Sequence, residues 1–256
     1  MASSTEKAIN LIKDYASCND NTVVDFSGGK CSSVLLHLAS RALRDVKAVY
    51  VDTTISLPEC NEYVEGVCDE WGVDLVTVKR ADTDFWGIIR RRGFPTPRRR
   101  WCMKELKFIP LKLFNKSNGG DCLHLTGTMM SESTKRREVY SIRGILYFNY
   151  TIGSRVLQPL LSWNEKMLDK YIERHKISVN PCYALFGEGG NCYYCPHIRS
   201  RDYYLKLAKT HPKLFHKIVR GEKDLRSGGA AIYLGRGKLL YISRLLYHQQ
   251  SKFGKG

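Results

Sequence analysis

The sequence predicts an α/β protein built on a doubly wound parallel sheet, with a small Cys-rich and helical region behind it. Three observations lead there. Short β-rich runs alternate with amphipathic helical segments between Lys7 and Gly127, the alternation that stacks helices on both faces of a parallel sheet. Ser27, Asp52 and Gly127 stand at the carboxyl ends of such runs, where open sheets bind ligands. A chain of 256 residues with 43% hydrophobic content is long enough to bury one such core.

The elements follow in order. Lys7 to Tyr15 has helical spacing, and Thr22 to Phe26 is a β-branched and aromatic run that stops at a Ser-Gly-Gly turn. Ser32 to Ser40 then places apolar residues at helical intervals, and Val46 to Asp52 reads as a buried strand, closing a βαβ unit. Pro58 occupies a first-turn position ahead of an amphipathic segment from Glu59 to Trp71, Asp74 to Lys79 gives a third strand, and Cys122 to Thr126 a fourth that ends at Gly127. Ser162 and Glu165 have capping-box spacing and open a helix running to about Arg174. Composition changes after residue 178, so a nucleotide-binding unit is expected over 1–178 and a second segment over 179–256. That segment holds a Gly-, Cys- and aromatic-rich stretch from Pro181 to Pro196, then a basic helical tail broken at Ser227 to Gly229.

Composition narrows the function classes. The start of the chain lacks a basic segment followed by an apolar run, and no apolar stretch reaches membrane-spanning length, so a cytoplasmic protein with no membrane partner is expected. Nine cysteines, an odd number, argue against a disulfide scaffold and for metal or sulfur chemistry. The formal net charge of +16 is clustered at Arg90 to Arg92, at Arg98 to Arg100 with Lys104 and Lys107, and at Lys135 to Arg137. Such clusters attract polyanions, and RNA or DNA is the expected partner ahead of a merely solvated basic surface.

The most informative segment is Ser27-Gly28-Gly29-Lys30-Cys31-Ser32-Ser33, set between a strand and a helix. Glycines let the backbone approach an anion, the helix N-terminus faces it, and Lys30 with the hydroxyls of Ser32 and Ser33 adds donors. The Walker A spacing is absent. The segment resembles the Ser-Gly-Gly-x-Asp-Ser loop of the PP-loop ATP pyrophosphatases, a Rossmann-like family, and in particular its PAPS-reductase-like branch. Asp52-Thr53 followed by Leu57-Pro58-Glu59 resembles that family's Asp-Thr and Phe-Pro-Glu-Thr. Gly127 with Glu132, Ser133 and Arg136 resembles its Gly-x-Arg-x-x-Glu-Ser-x-x-Arg. The resemblance implies ATP with Mg2+ bound by Ser27, Gly28, Gly29, Lys30, Ser32, Ser33, Asp52, Thr53, Gly127 and Glu132. Lys30 and Arg136 would stabilise charge on the transferring phosphates. Two departures stand out: Cys31 replaces the loop aspartate, and Met129 takes the place of an arginine. A thiol at a helix N-terminus beside Lys30 is expected to have a lowered pKa, which makes Cys31 a candidate nucleophile.

Cys192 and Cys195, at C-x-x-C spacing and ten residues beyond Cys182, form a thiolate cluster of the kind that holds zinc or an iron-sulfur centre. Arg100-Trp101-Cys102-Met103-Lys104 resembles the Arg-Cys-Cys segment of iron-sulfur APS reductases. Asn180-Pro181-Cys182-Tyr183 with the following Cys-x-x-Cys-Pro resembles iron-sulfur enzymes that thiolate DNA and RNA. The resemblance implies a [4Fe-4S] cluster on Cys102, Cys182, Cys192 and Cys195, with a structural Zn2+ on the same thiolates as the alternative. Cys18, Cys60, Cys68 and Cys122 are expected to pack as small hydrophobes, and His197 to contact a phosphate or the surroundings of the cluster.

The expected function is ATP-dependent adenylation and thiolation of a nucleic acid, of the tRNA-thiolation or DNA-phosphorothioation type, with a cysteine desulfurase as a possible sulfur donor. Reduction of PAPS or APS is the alternative. It is disfavoured because those enzymes resemble this chain but carry a nucleophilic cysteine in a C-terminal tail, whereas no cysteine follows Cys195 here. A noncatalytic module that binds nucleotide and nucleic acid is the third reading.

Overall fold

The computed structural model describes residues 3–187, 191–195, 200–225, 231–233 and 239–245. Helix α1 (Ser4–Ala16) leads into β1 (Thr22–Asp25), α2 (Lys30–Ala42), β2 (Lys47–Val51), α3 (Pro58–Trp71) and β3 (Asp74–Val78). Then come α4 (Phe85–Arg92), α5 (Trp101–Met103), a widened π turn at Lys104–Phe108, α6 (Ile109–Ser117) and β4 (Leu123–Leu125). A short turn at Met130–Glu132 precedes α7 (Thr134–Arg143), a hairpin of β5 (Leu146–Asn149) and β6 (Ser154–Leu157), and α8 (Glu165–His175). The C-terminal region contributes α9 (Cys182–Phe186), α10 (Arg201–Thr210), α11 (Pro212–Lys223) and a pair of short antiparallel strands, β7 (Ala231–Tyr233) and β8 (Leu239–Tyr241).

The sheet has the strand order β3-β2-β1-β4-β6-β5. All its neighbours run parallel except the edge strand β5, which is antiparallel to β6. The expected parallel sheet is therefore present, extended by a hairpin that the sequence reading did not anticipate. Alternation along the strands covers both faces. Val24, Leu123 and Leu125 pack with Leu35 and Leu38 of α2, while Val23, Val49 and Val156 pack with Leu111 of α6. Leu35, Leu36 and Leu38 are fully buried, and each such side chain gains about 1.5–3 kcal/mol on leaving water.

One expected start signal is wrong. The helix after Trp163 is capped by Asn164, whose side chain accepts from the Met167 N–H at 3.0 Å. Ser162 lies outside it, and the buried Trp163 anchors the chain just before the cap. Cys60, Cys68 and Cys122 are buried as expected, but Cys18 is exposed. The break at Ser227 to Gly229, Pro196 and His197 lie outside the described residues.

A second core cluster joins residues from both sides of position 178: Phe85, Trp86, Phe94 and Trp101 pack with Tyr193, Tyr194, Tyr203 and Phe215. Phe85 stacks on Trp101 with centroids 5.5 Å apart, and Phe94 meets Tyr194 at 5.0 Å. Aromatic burial of this size fixes the cysteine-bearing stretch against α4 and α5.

Where α2 meets α8, His37 shares a proton with the Tyr171 hydroxyl at 2.9 Å and packs against Trp71 and His175. Burial, then the nearby His175 and Arg41, pull the His37 pKa down to about 4. Between about pH 6.5 and pH 4 the unfolded chain binds a proton that folded His37 refuses, so stability falls as pH drops through that window. The urea midpoint of His37→Gln is expected to fall less steeply than that of the wild type over the same range. Parallel curves would show that His37 contributes nothing to the acid loss.

Candidate active site at the phosphate loop and the cysteine cavity

The loop after β1 is shaped by close backbone contacts. Gly28 has φ +73°, and a Cβ there would lie 3.0 Å from Val64 and 3.2 Å from the Asn180 side-chain amide. Gly127, leaving β4, packs so tightly on the start of α2 that a Cβ would sit 2.8 Å from the carbonyl carbon and oxygen of Cys31. Ser32 Oγ accepts from the Ser27 and Gly29 N–H groups at 3.2 and 3.1 Å. Ser33 Oγ lies 3.0 Å from the Tyr63 hydroxyl, which donates to Ser178 O at 2.7 Å. In this structure Ser32 and Ser33 hold the shape of the loop.

Lys30, Cys31, Glu132 and Arg136 come together on one side of the loop. Lys30, Cys31 and Glu132 face a cleft of about 950 Å3 whose wall includes Asp169 and Tyr183. Lys30 Nζ bonds Asp169 Oδ1 at 3.0 Å and lies 5.6 Å from the Tyr183 ring centroid. The hydrogen bond it donates to Asp169 raises its pKa and keeps it charged. Arg136 pairs with Glu132 one turn away, and the Cys31 thiol donates to Glu132 Oε1 at 3.4 Å. A carboxylate thus stands beside the cysteine that occupies the loop's aspartate position.

The expected acidic thiol at Cys31 is corrected. Burial pushes its pKa up, outweighing the opposing pull of Arg136 and Lys30, so the sulfur stays protonated at neutral pH. Met129 is buried in the main core. Asp52 turns back to accept from Thr54 N–H at 2.7 Å, bracing a residue held at φ 63°. That conformation is strained for a β-branched side chain. Its hydroxyl accepts in turn from Phe85 N–H at 2.9 Å.

Ser27 and Thr53 face a different opening, a cavity of about 250 Å3 that Cys102, Cys192 and Cys195 also line. Two features bring the three thiols there. Residues 191–193 run antiparallel to 55–57, with Leu57 N donating to Asn191 O at 2.7 Å and Tyr193 N to Ile55 O at 2.8 Å. The π turn after Cys102 carries Leu106 and Lys107 to the same wall, and such turns often mark functional sites. Thr53 Oγ1 lies 3.2 Å from Cys192 Sγ. Burial, followed by the neighbouring Cys192 and Cys195, pushes the Cys102 thiol up to about 11.

Three soft donors around one cavity suit zinc or an iron-sulfur cluster in chemical type. They surround the space without closing on it: among the described residues no group of three or more His, Cys, Asp or Glu side chains reaches metal-holding geometry. Cys182 is buried at the head of α9, its N–H on Asn180 Oδ1 at 2.9 Å, and is not among the residues lining the cavity. The sequence reading gave no site role to Asn180, Tyr183, Tyr63 or Asp169. Asn180 and Tyr183 were within reach, since they flank Cys182 in the Asn-Pro-Cys-Tyr segment; Tyr63 and Asp169 carry no such signal. No helix among the described residues is long and apolar enough to cross a membrane.

Comparison with known proteins agrees with this architecture. An uncharacterized protein of Methanocaldococcus jannaschii is 30% identical over 90% of this chain and 47% of its own length. The chain spans about half the length of the first curated relatives it matches. Among solved structures, the PAPS reductase of Candida auris superposes with a TM-score of 0.57 at 15% identity, over 72% of this chain and 87% of that one. The U34-tRNA thiolase NcsA of Methanococcus maripaludis, solved with its [4Fe-4S] cluster, gives 0.56 at 16% identity over 96% of this chain and 79% of its own. These likenesses establish the PP-loop type of α/β fold. The phosphoadenosine phosphosulfate reductase domain model matches residues 21–196, well over half of the chain, and the chain belongs to that family.

Proposed function

We propose that this chain is the catalytic part of an ATP-dependent PP-loop enzyme that adenylates a nucleic acid and replaces an oxygen with sulfur. The observation that carries the reading is the shared cavity: Ser27, which opens the phosphate loop, lines the same space as Cys102, Cys192 and Cys195. Nucleotide activation and sulfur chemistry would then take place side by side. A substrate oxygen attacks the α-phosphorus of ATP and pyrophosphate leaves. Hydrosulfide then adds at the activated atom, and AMP departs with the oxygen, so no net redox change is needed.

Lys30 and Arg136 would stabilise charge on the departing pyrophosphate. Glu132, beside Cys31, would supply an oxygen ligand to Mg2+ in place of the loop aspartate. A [4Fe-4S] cluster held by Cys102, Cys192 and Cys195 alone would leave one iron open to bind sulfide; with Cys182 as the fourth thiolate of the resemblance the cluster, like zinc, would only organise the pocket. A cysteine desulfurase is the proposed source of sulfur. Support for a polyanionic substrate comes from a groove of about 400 Å3 between α4 and α11, lined by Trp86, Arg90, Lys213, Lys217 and Arg220. The family also supports a second reading, reduction of a sulfonucleotide, which sulfite release from PAPS would reveal.

The test is anaerobic purification with assay of iron, zinc, sulfide and visible absorption, followed by ATP-pyrophosphate exchange in the presence of RNA or DNA. The expected result is a coloured protein with about four irons per chain, lost in Cys192→Ala, and exchange that depends on nucleic acid. A colourless protein with one zinc and no exchange would sink the proposal.

A further inference from the structure

On the face of the sheet opposite α2, a cavity of about 590 Å3 opens between α7 and the edge strand β5; its walls include Asp25, Thr126, Thr128, Arg143, Phe148 and Tyr150. Three properties set it apart. Its mouth is aromatic and exposed: Phe148 is 48% and Tyr150 85% accessible, with ring centroids 5.0 Å apart at 71°. Arg143 lies 5.3 Å from the Tyr147 ring centroid at the same mouth.

Its rim carries one cation, Arg143. Helix α7, which ends there, is basic along its length, with Lys135, Arg136, Arg137 and Arg143 against Glu138 alone, and Arg136 is paired with Glu132. Lys135, Arg137 and Arg143 are exposed. Its inner end is polar: the Asp25 carboxylate is 26% accessible and fixed by His124 Nδ1 at 2.6 Å. The buried Thr126 hydroxyl has no hydrogen-bond partner among the described residues. Thr126 and Thr128 flank Gly127, whose backbone packs on the start of α2, so one residue of the chain separates the inner end of the cavity from the head of that helix.

We infer that this cavity is the acceptor site and that it takes one unpaired nucleotide of a single-stranded nucleic acid. The inference rests on the nucleic-acid reading above. Its volume lies in the range of sites for small ligands and is too narrow for a double helix. Exposed aromatic faces stack on unpaired bases whatever their identity, and neighbouring cations follow the phosphates. Inside, Asp25 accepts a hydrogen bond from a base amino or ring N–H, and the Thr126 hydroxyl gains the partner it lacks. The base is thereby aimed at the loop where ATP would be attacked.

The test uses the full chain with labelled single-stranded RNA and DNA and their duplexes, following anisotropy across a salt series, with ATP affinity measured separately. Single strands are expected to bind more tightly than duplexes. Phe148→Ala and Tyr150→Ala should each weaken that binding about tenfold with an unchanged salt slope, as loss of one stacked base does. Arg143→Gln should weaken it and reduce the slope by about 0.7, the loss of one phosphate contact on a single strand. All three side chains are exposed, so the fold is expected to survive, and ATP affinity should not change. Preference for RNA or DNA identifies the source of the strand. If the wild type binds single strands and all three variants match it, the inference fails while the nucleic-acid reading stands. A preference for duplex, or a loss of ATP affinity in Tyr150→Ala, also overturns the inference. No binding of any strand by the wild type removes both.

Discussion

Gly127→Ala is expected to weaken ATP binding at least about tenfold, equivalent to about 1.4 kcal/mol, and to destabilise the fold by about 1–3 kcal/mol. The added Cβ would lie 2.8 Å from the carbonyl carbon and oxygen of Cys31 and 3.0 Å from Ser32 N. These are backbone atoms in the first turn of α2, so no side-chain rotation relieves the clash. Either β4 or the head of α2 must move, and α2 carries the phosphate loop with it. Gly66→Ala in α3 is the matched control, because a Cβ there meets nothing within 4 Å and alanine favours the helix by about 0.5–1 kcal/mol. Calorimetric titration with ATP and urea unfolding read both effects. Wild-type ATP affinity in Gly127→Ala would show that the loop does not hold the nucleotide.

That contact joins segments about a hundred residues apart, yet its two partners were legible separately. Apolar strands ending in Ser27-Gly28-Gly29 and at Gly127 mark local turns, and local turn chemistry is written in adjacent residues. The β5-β6 hairpin was missed because Ser154-Arg-Val-Leu157 is too short and too polar to stand out from a loop. The helices between Phe85 and Ser117 were not anticipated, because the prolines and arginine runs there hide helical segments interrupted by a π turn. The cap at Asn164 was displaced to Ser162 because both residues are good N-caps, and only burial of Trp163 decides between them.

The Cys31 thiol illustrates a different limit. Lys30 and the helix N-terminus are local and lower a pKa, but the burial that overrides them comes from the tertiary packing. The same holds for the cysteines. C-x-x-C spacing marked Cys192 and Cys195, whereas the pairing of 191–193 with 55–57 that brings them to the wall of Ser27 and Thr53 is a long-range event.

Asn180→Ala is expected to cost about 2–4 kcal/mol and, on the proposed ATP and iron-sulfur reading, to impair ATP binding and iron retention together. Asn180 is 5% exposed and donates through Nδ2 to Gly28 O at 3.1 Å and to Cys60 Sγ at 3.4 Å, while Oδ1 accepts from Cys182 N at 2.9 Å. One buried amide therefore ties the phosphate loop to the start of the cysteine-bearing segment. Truncation removes a donor from Gly28 O and an acceptor from Cys182 N–H, and a buried polar group that loses its partner costs about 1–3 kcal/mol. Asn180→Asp separates the two ties, since it keeps the acceptor for Cys182 but sets a second acceptor against Gly28 O. It should harm ATP binding nearly as much as alanine and spare more of the metal. Urea unfolding, ATP titration and iron analysis on both variants give the answer. If ATP affinity and iron content fall in proportion in both variants, the loop and the cysteine segment respond as one unit and Asn180 acts only through stability. If aspartate loses ATP affinity and keeps iron, the two ties are separable, and the amide donated to Gly28 O is what holds the loop ready for phosphate.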